Sequence, residues 1–375
     1  MASPTYPQAP SQPRFLFLLK KRDLPYAEAV SSDPAPYGGL KSSGLTNSAT
    51  FVVDMLVKSG IEAKLVEVVD NNCIDREVSL YHPTHVVIEA LWVVPEKFTV
   101  LTALHPSVQW IVRIHSELTF IANESIAIDW IMKYVTYPNV IVAPNSERTV
   151  RDLRKILAGV EGEEQVRRVV YLPNVYEFRS PARPIPHHGL NIGCFGAVRP
   201  MKNQLVQAVA AIHYADETGQ KLQFHMNGTR PEQGGGQAMQ NIRALFNHSY
   251  HELVEHPWFE HDQFLRLLDQ MDCVAAVSLS ETFCIVAADA VSMNVPIVVS
   301  PEVRWASPFS KAKTTSAESI VRAMYRVLGP GRGILKAHNR YLLNQYTAEA
   351  REEWLSFINQ FERSQLPHAS CQPGW

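Results

Sequence analysis

Long apolar runs, paired cysteines and surplus charge are all missing from this chain of 375 residues. No stretch reaches the roughly 18 apolar residues that span a bilayer. Thirty-five Lys and Arg against 37 Asp and Glu leave a formal charge of −2. No bulk field therefore draws nucleic acid or an anionic membrane, although a local basic patch stays open. The five cysteines, at positions 73, 194, 273, 284 and 371, form no CxxC pair and are odd in number. That gives neither a disulfide framework nor a zinc ribbon, and reads as reduced thiols in a cytoplasmic protein. Residues 1–13 are rich in Pro and Ser without a basic start, and the apolar segment 15–19 is too short for a signal-peptide core. No GxGxxG follows an expected strand, so nothing supports a nicotinamide or flavin dinucleotide site. Residues 39–46 (GLKSSGLT) approach a phosphate loop, but Leu45 stands where its lysine belongs.

What is present is a globular composition, 46% hydrophobic and 19% charged, long enough for about two domains at roughly 150 residues each. Apolar runs and helical periodicities alternate along it. Strands are expected at 14–20, 61–69, 85–89, 109–114, 139–143 and 169–172, with helices at 46–59 and 146–157. After a Pro-rich stretch, 181–188, strands are expected at 190–195, 222–226, 273–277 and 296–299, with helices at 203–214, 263–271 and 284–292. Residues 228–236 read as a loop, the glycines at 329–333 as a turn between helices, and 347–361 as a final helix. Alternating strands and helices build parallel α/β sheets. The expected division is a tail at 1–13, domains at 14–181 and 188–345, and a helix and tail at 346–375. Two such domains facing each other leave a cleft, and doubly wound sheets bind ligands at the carboxyl ends of their strands.

The most informative region is 190–300. Residues 192–203 (IGCFGAVRPMKN) place Arg199 and Lys202 in a turn after a strand, where a guanidinium fork and an ammonium suit phosphate oxygens. An isolated R-x-x-K reads as two solvated cations; its surroundings change that. Residues 222–228 (LQFHMNG) form a strand closing on Gly228, and 263–277 (QFLRLLDQMDCVAAV) a helix, an aspartate and a buried strand. Residues 278–300 (SLSETFCIVAADAVSMNVPIVVS) run from a Ser-Glu turn through a helix to a proline-led strand. Glu281 precedes that helix and Asp289 lies inside it, about 12 Å apart at 1.5 Å per residue. Between them the helix amides of the Thr282, Phe283, Cys284 turn favour a phosphate. The plain alternative makes Glu281 an ordinary N-terminal helix acid and Asp289 a surface residue, yet Asp289 sits in the apolar run 285–291, an odd place for an unpaired carboxylate.

In this order and spacing the segments resemble the second domain of GT-B glycosyltransferases, particularly the retaining family 4. The resemblance implies two facing Rossmann-like domains with a helix crossing back, a nucleotide-sugar donor and no other cofactor. It implies that Glu281 holds donor-sugar hydroxyls, Asp289 the ribose, and Arg199, Lys202 and residues 282–284 the diphosphate. In the first domain, Gly44 matches the small-residue loop before a helix and His115, in RIHS, the strand-end histidine beside the donor sugar. Ser146 matches the serine opening a helix, and Pro173-Asn174 the turn before the linker. No two aspartates flank a single residue, so the DxD metal site is absent, as in GT-B enzymes, and no metal ligand is assigned. The chain departs from the family in having Asp at 289 for Glu, Thr282 and Cys284 for glycines, and its arginine three residues after Gly196. Transfer with retention, by a same-face route, is the implied activity. A sugar-nucleotide epimerase or hydrolase, or a non-catalytic nucleotide-binding module, stays open. The acceptor (sugar, lipid, protein, small metabolite or modified DNA base) and the oligomeric state are unread.

Overall fold

The computed structural model describes residues 12–21, 44–160, 162–179, 188–229 and 231–365, with side chains to 360. The 39–46 segment and the 181–188 stretch lie largely outside them, as do most of the two expected tails.

Strand β1 (Arg14–Lys20) carries five consecutive buried residues, as expected of a strand covered on both faces. Helix α1 (Gly44–Lys58) follows and turns at Gly60, in the left-handed region, into β2 (Glu62–Val68). Next come α2 (Ile74–Tyr81), β3 (His85–Glu89), α3 (Lys97–Leu104) and β4 (Gln109–Ile114). Helices α4 (Leu118–Ile121) and α5 (Ala127–Tyr134) then lead to β5 (Val140–Pro144). All pairings are parallel, in the order β2-β1-β3-β4-β5. Helices α6 (Glu147–Val160) and α7 (Glu163–Arg167) follow. The strand expected at 169–172 reduces to a single bridge, Val142 to Val169. The amides of Val170 and Leu172 bond carbonyls of β5, that of Val169 bonds Val166, and Pro173 then ends the ladder by removing a donor.

The second sheet opens with β6 (Leu190–Cys194), then α8 (Gln204–Thr218), β7 (Leu222–Met226), α9 (Gly235–Asn247) and β8 (Glu252–Glu255). Helix α10 (His261–Leu268), β9 (Cys273–Ala276), α11 (Ile285–Ser292) and β10 (Ile297–Val299) complete it in the parallel order β10-β9-β6-β7-β8. No apolar pattern marks β8: its burial is only partial and two of its four residues are glutamates. The loop expected at 228–236 gives way to α9 at Gly235 and bridges Val198 through Pro231. Among the described residues each sheet therefore contributes five parallel strands with helices packed on them, which is the GT-B arrangement. No helix among the described residues is long and apolar enough to cross a membrane.

Helix α12 (Ala317–Leu328) packs on α8, and the glycine-rich turn then releases α13 (Arg332–Gln365). The helix expected at 347–361 is the second half of this 34-residue element. Its start bonds the second half of the chain, with Asn339 accepting from the Ser307 amide. Its end lies against the first sheet: Ala350, Trp354 and Ile358 join the cluster around Phe15 and Phe17. Trp354 is fully buried, donates to the Pro173 carbonyl at 2.9 Å and lies under the Arg113 guanidinium, 5.3 Å away. We expect Trp354→Ala to cost about 3–5 kcal/mol, the usual range for emptying a buried aromatic site. A urea midpoint that barely moves would show that α13 is not anchored there.

Candidate functional site

In parallel sheets the crevice opens where strand order reverses. The order shows this reversal between β1 and β3 in the first sheet and between β6 and β9 in the second. Both reversals face one cavity of about 450 Å³, reached by Ala90 after β3, His115 after β4, Gly196 after β6 and Ser280 after β9. The two halves touch across it. Thr119 donates to Ser280 at 2.8 Å, and Arg148 bridges Glu117, at 3.0 Å, to Glu302. Helices α1 and α11 meet end to end. A Cβ on Gly44 would stand 3.1 Å from Ile285 Cγ2, so the lack of a side chain permits the approach.

In the second half, Lys202 closes a single 3-10 turn, Pro200–Lys202. The next residue, Asn203, takes φ 58° and donates from Nδ2 to the carbonyls of Val277 and Thr314, at 3.1 and 2.7 Å. That pins the turn beside the end of β9. Lys202 Nζ reaches Glu281 Oε1 at 2.5 Å. Burial opposes the ammonium, but the Glu281 carboxylate more than offsets it, and the Lys202 pKa lies above the usual lysine value. The cation and the acid assigned from sequence to different parts of a ligand are thus bonded to each other. Arg199 pairs with Glu232 and stands 5.4 Å from the Phe120 ring of the first half.

Cys284 caps α11 at φ 62°, a left-handed conformation that normally calls for glycine. Its thiol is pushed up to about 12, by burial first and then by the charge of Glu281, so it is no nucleophile at neutral pH. Phe283 is buried, and its carbonyl accepts from Trp305 Nε1 at 2.7 Å. Thr282 donates to the His115 carbonyl at 3.2 Å and accepts from Asn145 at 3.1 Å, so the same turn is stitched to the end of β4.

In the first half, His115 Nε2 bonds Glu89 Oε2 at 2.6 Å, and Glu89 Oε1 accepts from Arg113 at 2.7 Å. Glu89 and Arg113 are a cross-strand pair, both wholly buried. Burial raises the Glu89 pKa, but Arg113 and His115 together outweigh it and hold the carboxyl below its usual value. His115 is itself lowered, since burial exceeds the pull of Glu89. An ionised Glu89 accepting from Nε2–H leaves Nδ1 as the lone-pair nitrogen of a neutral ring.

Asp289 is not an unpaired carboxylate. Its Oδ1 accepts from Tyr176 at 2.8 Å and from His261 Nε2 at 2.9 Å. The residues picked out in the sequence gather at the cavity wall: Gly44 and His115 from the first half, Arg199, Lys202, Glu281 and Asp289 with the 282–284 turn from the second. Gly228 is the exception. Its missing side chain makes room for Glu255, which a Cβ would meet at 2.0 Å, and Asn227 reaches the cavity instead. Glu89, Asn145, Tyr176 and His261 also line or support the site and were not among the residues expected there. Only Glu89 left a trace, as a charged residue ending the buried strand HVVIE. Among the described residues no three His, Cys, Asp or Glu side chains gather as a metal site would require.

Residues 141–338, just over half of the chain, match the model of family 4 glycosyltransferases in conflict systems. The chain belongs to this family. No curated protein matches it, but solved glycosyltransferase structures do. Sucrose-phosphate synthase from Thermosynechococcus elongatus superimposes with a TM-score of 0.66 at 13% identity, over 94% of this chain and 100% of that one. A trehalose-6-phosphate protein from E. coli bound with UDP-2-fluoro glucose gives 0.65 at 10%, over 92% and 99%. HepE from Anabaena, in complex with UDP and glucose, gives 0.61 at 11%, over 93% and 100%. At such identities the likeness is one of fold, and it makes this glycosyltransferase a GT-B protein. The left-handed position in its α11 turn can be tested directly. Cys284→Gly should leave stability within about 1 kcal/mol of the parent, the relieved backbone offsetting the lost packing. Cys284→Val should cost about 2 kcal/mol or more, because a β-branched residue resists positive φ. Equal urea midpoints for the two variants would contradict this account.

Proposed function

We propose that this glycosyltransferase moves a sugar from a nucleotide-diphosphate donor to an acceptor hydroxyl with retention at the anomeric carbon and without a divalent metal. The observation that carries the reading is the Lys202–Glu281 pair standing beside the N-terminus of α11 in the cavity between the two sheets. A diphosphate at that terminus meets free backbone amides, the positive end of the helix dipole and the Lys202 ammonium. These groups are fixed before the ligand arrives, so little reorganisation is left for the reaction itself. As Lys202 turns to the phosphate, Glu281 is released toward the donor-sugar hydroxyls. His115 would approach the same sugar from the first half, its ring fixed by Glu89. Binding of UDP with glucose by one neighbour, and of a UDP-fluorosugar by another, supports a nucleotide-sugar donor.

The same-face route needs only groups that this cavity can place. The bond from the anomeric carbon to the phosphate oxygen breaks as the acceptor oxygen closes on the same face. The acceptor proton passes to the departing phosphate oxygen, so the products are the glycoside and the protonated nucleoside diphosphate. Negative charge builds on that diphosphate, and Lys202 stabilises it more in the transition state than before it. Charge stabilisation and positioning then supply most of the rate. In this reading residues 14–181 form the acceptor-side unit, 188–345 the donor unit, and 346–375 pack back on the first.

A thermal-shift panel of UDP, GDP, ADP and TDP with their sugars should show stabilisation by one nucleotide series. Glu281→Ala should abolish transfer from that donor while melting normally; retained turnover would remove Glu281 from the reaction. Lys202→Ala should weaken the matching diphosphate roughly ten- to a hundredfold, the worth of one charge-assisted hydrogen bond. Unchanged affinity would take Lys202 out of the site. A protein that binds the nucleotide yet never cleaves any sugar nucleotide would be a binding module, and a change of sugar stereochemistry without transfer would mark an epimerase.

A further inference from the structure

We infer that His261, held by Asp289, is the group that reads the ribose hydroxyls of the bound nucleotide, and that Asp289 is its positioning residue. The inference rests on the donor reading above and assigns a part of that site that the family resemblance gives to Asp289.

Three observations carry it. First, Asp289 is almost sealed: 2% of its side chain is exposed, against 12% for His261. Its Oδ1 already accepts from the Tyr176 hydroxyl and from His261 Nε2, at 2.8 and 2.9 Å. Second, the imidazole has one orientation. Nε2 faces the carboxylate, and the ring meets Phe51 of α1 edge-on, 5.9 Å between centroids at 61°. In a ring that carries one hydrogen and donates it from Nε2, Nδ1 is the acceptor, and Nδ1 makes no hydrogen bond to the described residues. Third, the place suits a ribose. His261 lines the same cavity as Lys202 and the start of α11. Asp289 lies on the second turn of α11, about 6–7 Å along the axis from its first residues at 1.5 Å per residue. That is the reach from a diphosphate at the helix terminus to the sugar it esterifies.

The chemistry follows from the donor and acceptor inventory. Ribose hydroxyls are donors that need an acceptor, and Nδ1 offers a lone pair where a phosphate oxygen would find only repulsion. The aspartate is one methylene shorter than glutamate, and the imidazole supplies the missing reach. Two elements fix it, α11 through Asp289 and α1 through Phe51, so little rotamer freedom is lost when a hydroxyl docks.

The test is isothermal titration of the full chain with UDP, GDP and ADP, followed by the 2′-deoxy and 3′-deoxy forms of whichever binds. The parent protein should bind at least one deoxy form about tenfold more weakly, one hydrogen bond's worth. His261→Ala should lose most of that ratio while still binding the diphosphate. His261→Gln, whose amide can donate to Asp289 and accept through its oxygen, should restore part of it. Asp289→Asn should narrow the same ratio, a readout that lost packing alone leaves unchanged. Equal binding of ribo and deoxy forms by the parent overturns the inference without any variant, so a variant that fails to fold leaves it testable. A full ratio in His261→Ala also overturns it, and its loss only in Asp289→Asn returns the role to the acid. If the parent binds none of the nucleotides, the donor reading falls and this inference falls with it; binding without discrimination defeats this inference alone.

Discussion

One buried guanidinium ties the first sheet to the segment that leaves it and to the returning helix. Arg113, wholly enclosed at the end of β4, bonds Glu89 on β3, the Asn174 side chain at 2.8 Å and the Pro173 carbonyl at 3.3 Å. Its face lies on Trp354 of the returning helix. One charge therefore joins two strands, the segment leaving the first sheet and α13. A buried ion in this position is costly unless every partner is in place. Glu89 supplies the opposite charge, and its second oxygen fixes His115 at the cavity. One carboxylate thus bonds both the guanidinium that meets Trp354 and the ring at the cavity.

The second half solves a different problem. Its strands end in turns that reach the cavity, and left-handed residues other than glycine occur in them, among them Asn203, Gln233 and Cys284. Asn203 compensates through two side-chain bonds to carbonyls. Cys284 gains burial instead, as a small apolar group beneath the cavity wall. Charge there is paired in the free protein: Lys202 with Glu281, Arg199 with Glu232. Ligand entry would then be an exchange of partners, which lowers the cost of keeping such charges half-buried in the meantime.

Several strands could be read directly from sequence because they are buried on both faces and carry mostly apolar residues between turn signals. The runs at 85–89 and 222–226 end where the strands end. The β8 strand was invisible because it is only partly buried, so little apolar signal marks it. The run at 169–172 misled in the opposite way. Its residues are apolar because they cover β5, and a single bridge is all the pairing they make. In the site, Glu281 and Lys202 were legible because each lies in a local pattern of strand, turn and helix. Tyr176 and His261, 113 and 28 residues from the aspartate they bind, belong to no such pattern.

Local signals along the chain suffice for two α/β units, most of their strands, and several polar residues at the ends of those strands. Period, apolar runs and turn residues are local properties, and they act over a few residues. Which charges face each other depends on the folded chain. Coulomb attraction and hydrogen bonding depend on separation in space, and β4 to β3, α11 to α10 and α13 to β1 become neighbours only when the chain has folded. That is why Glu281 could be named in advance and its partner's 2.5 Å contact could not. It is also why Asp289 read as an open acid along the chain and proves, in space, to be held by Tyr176 and His261.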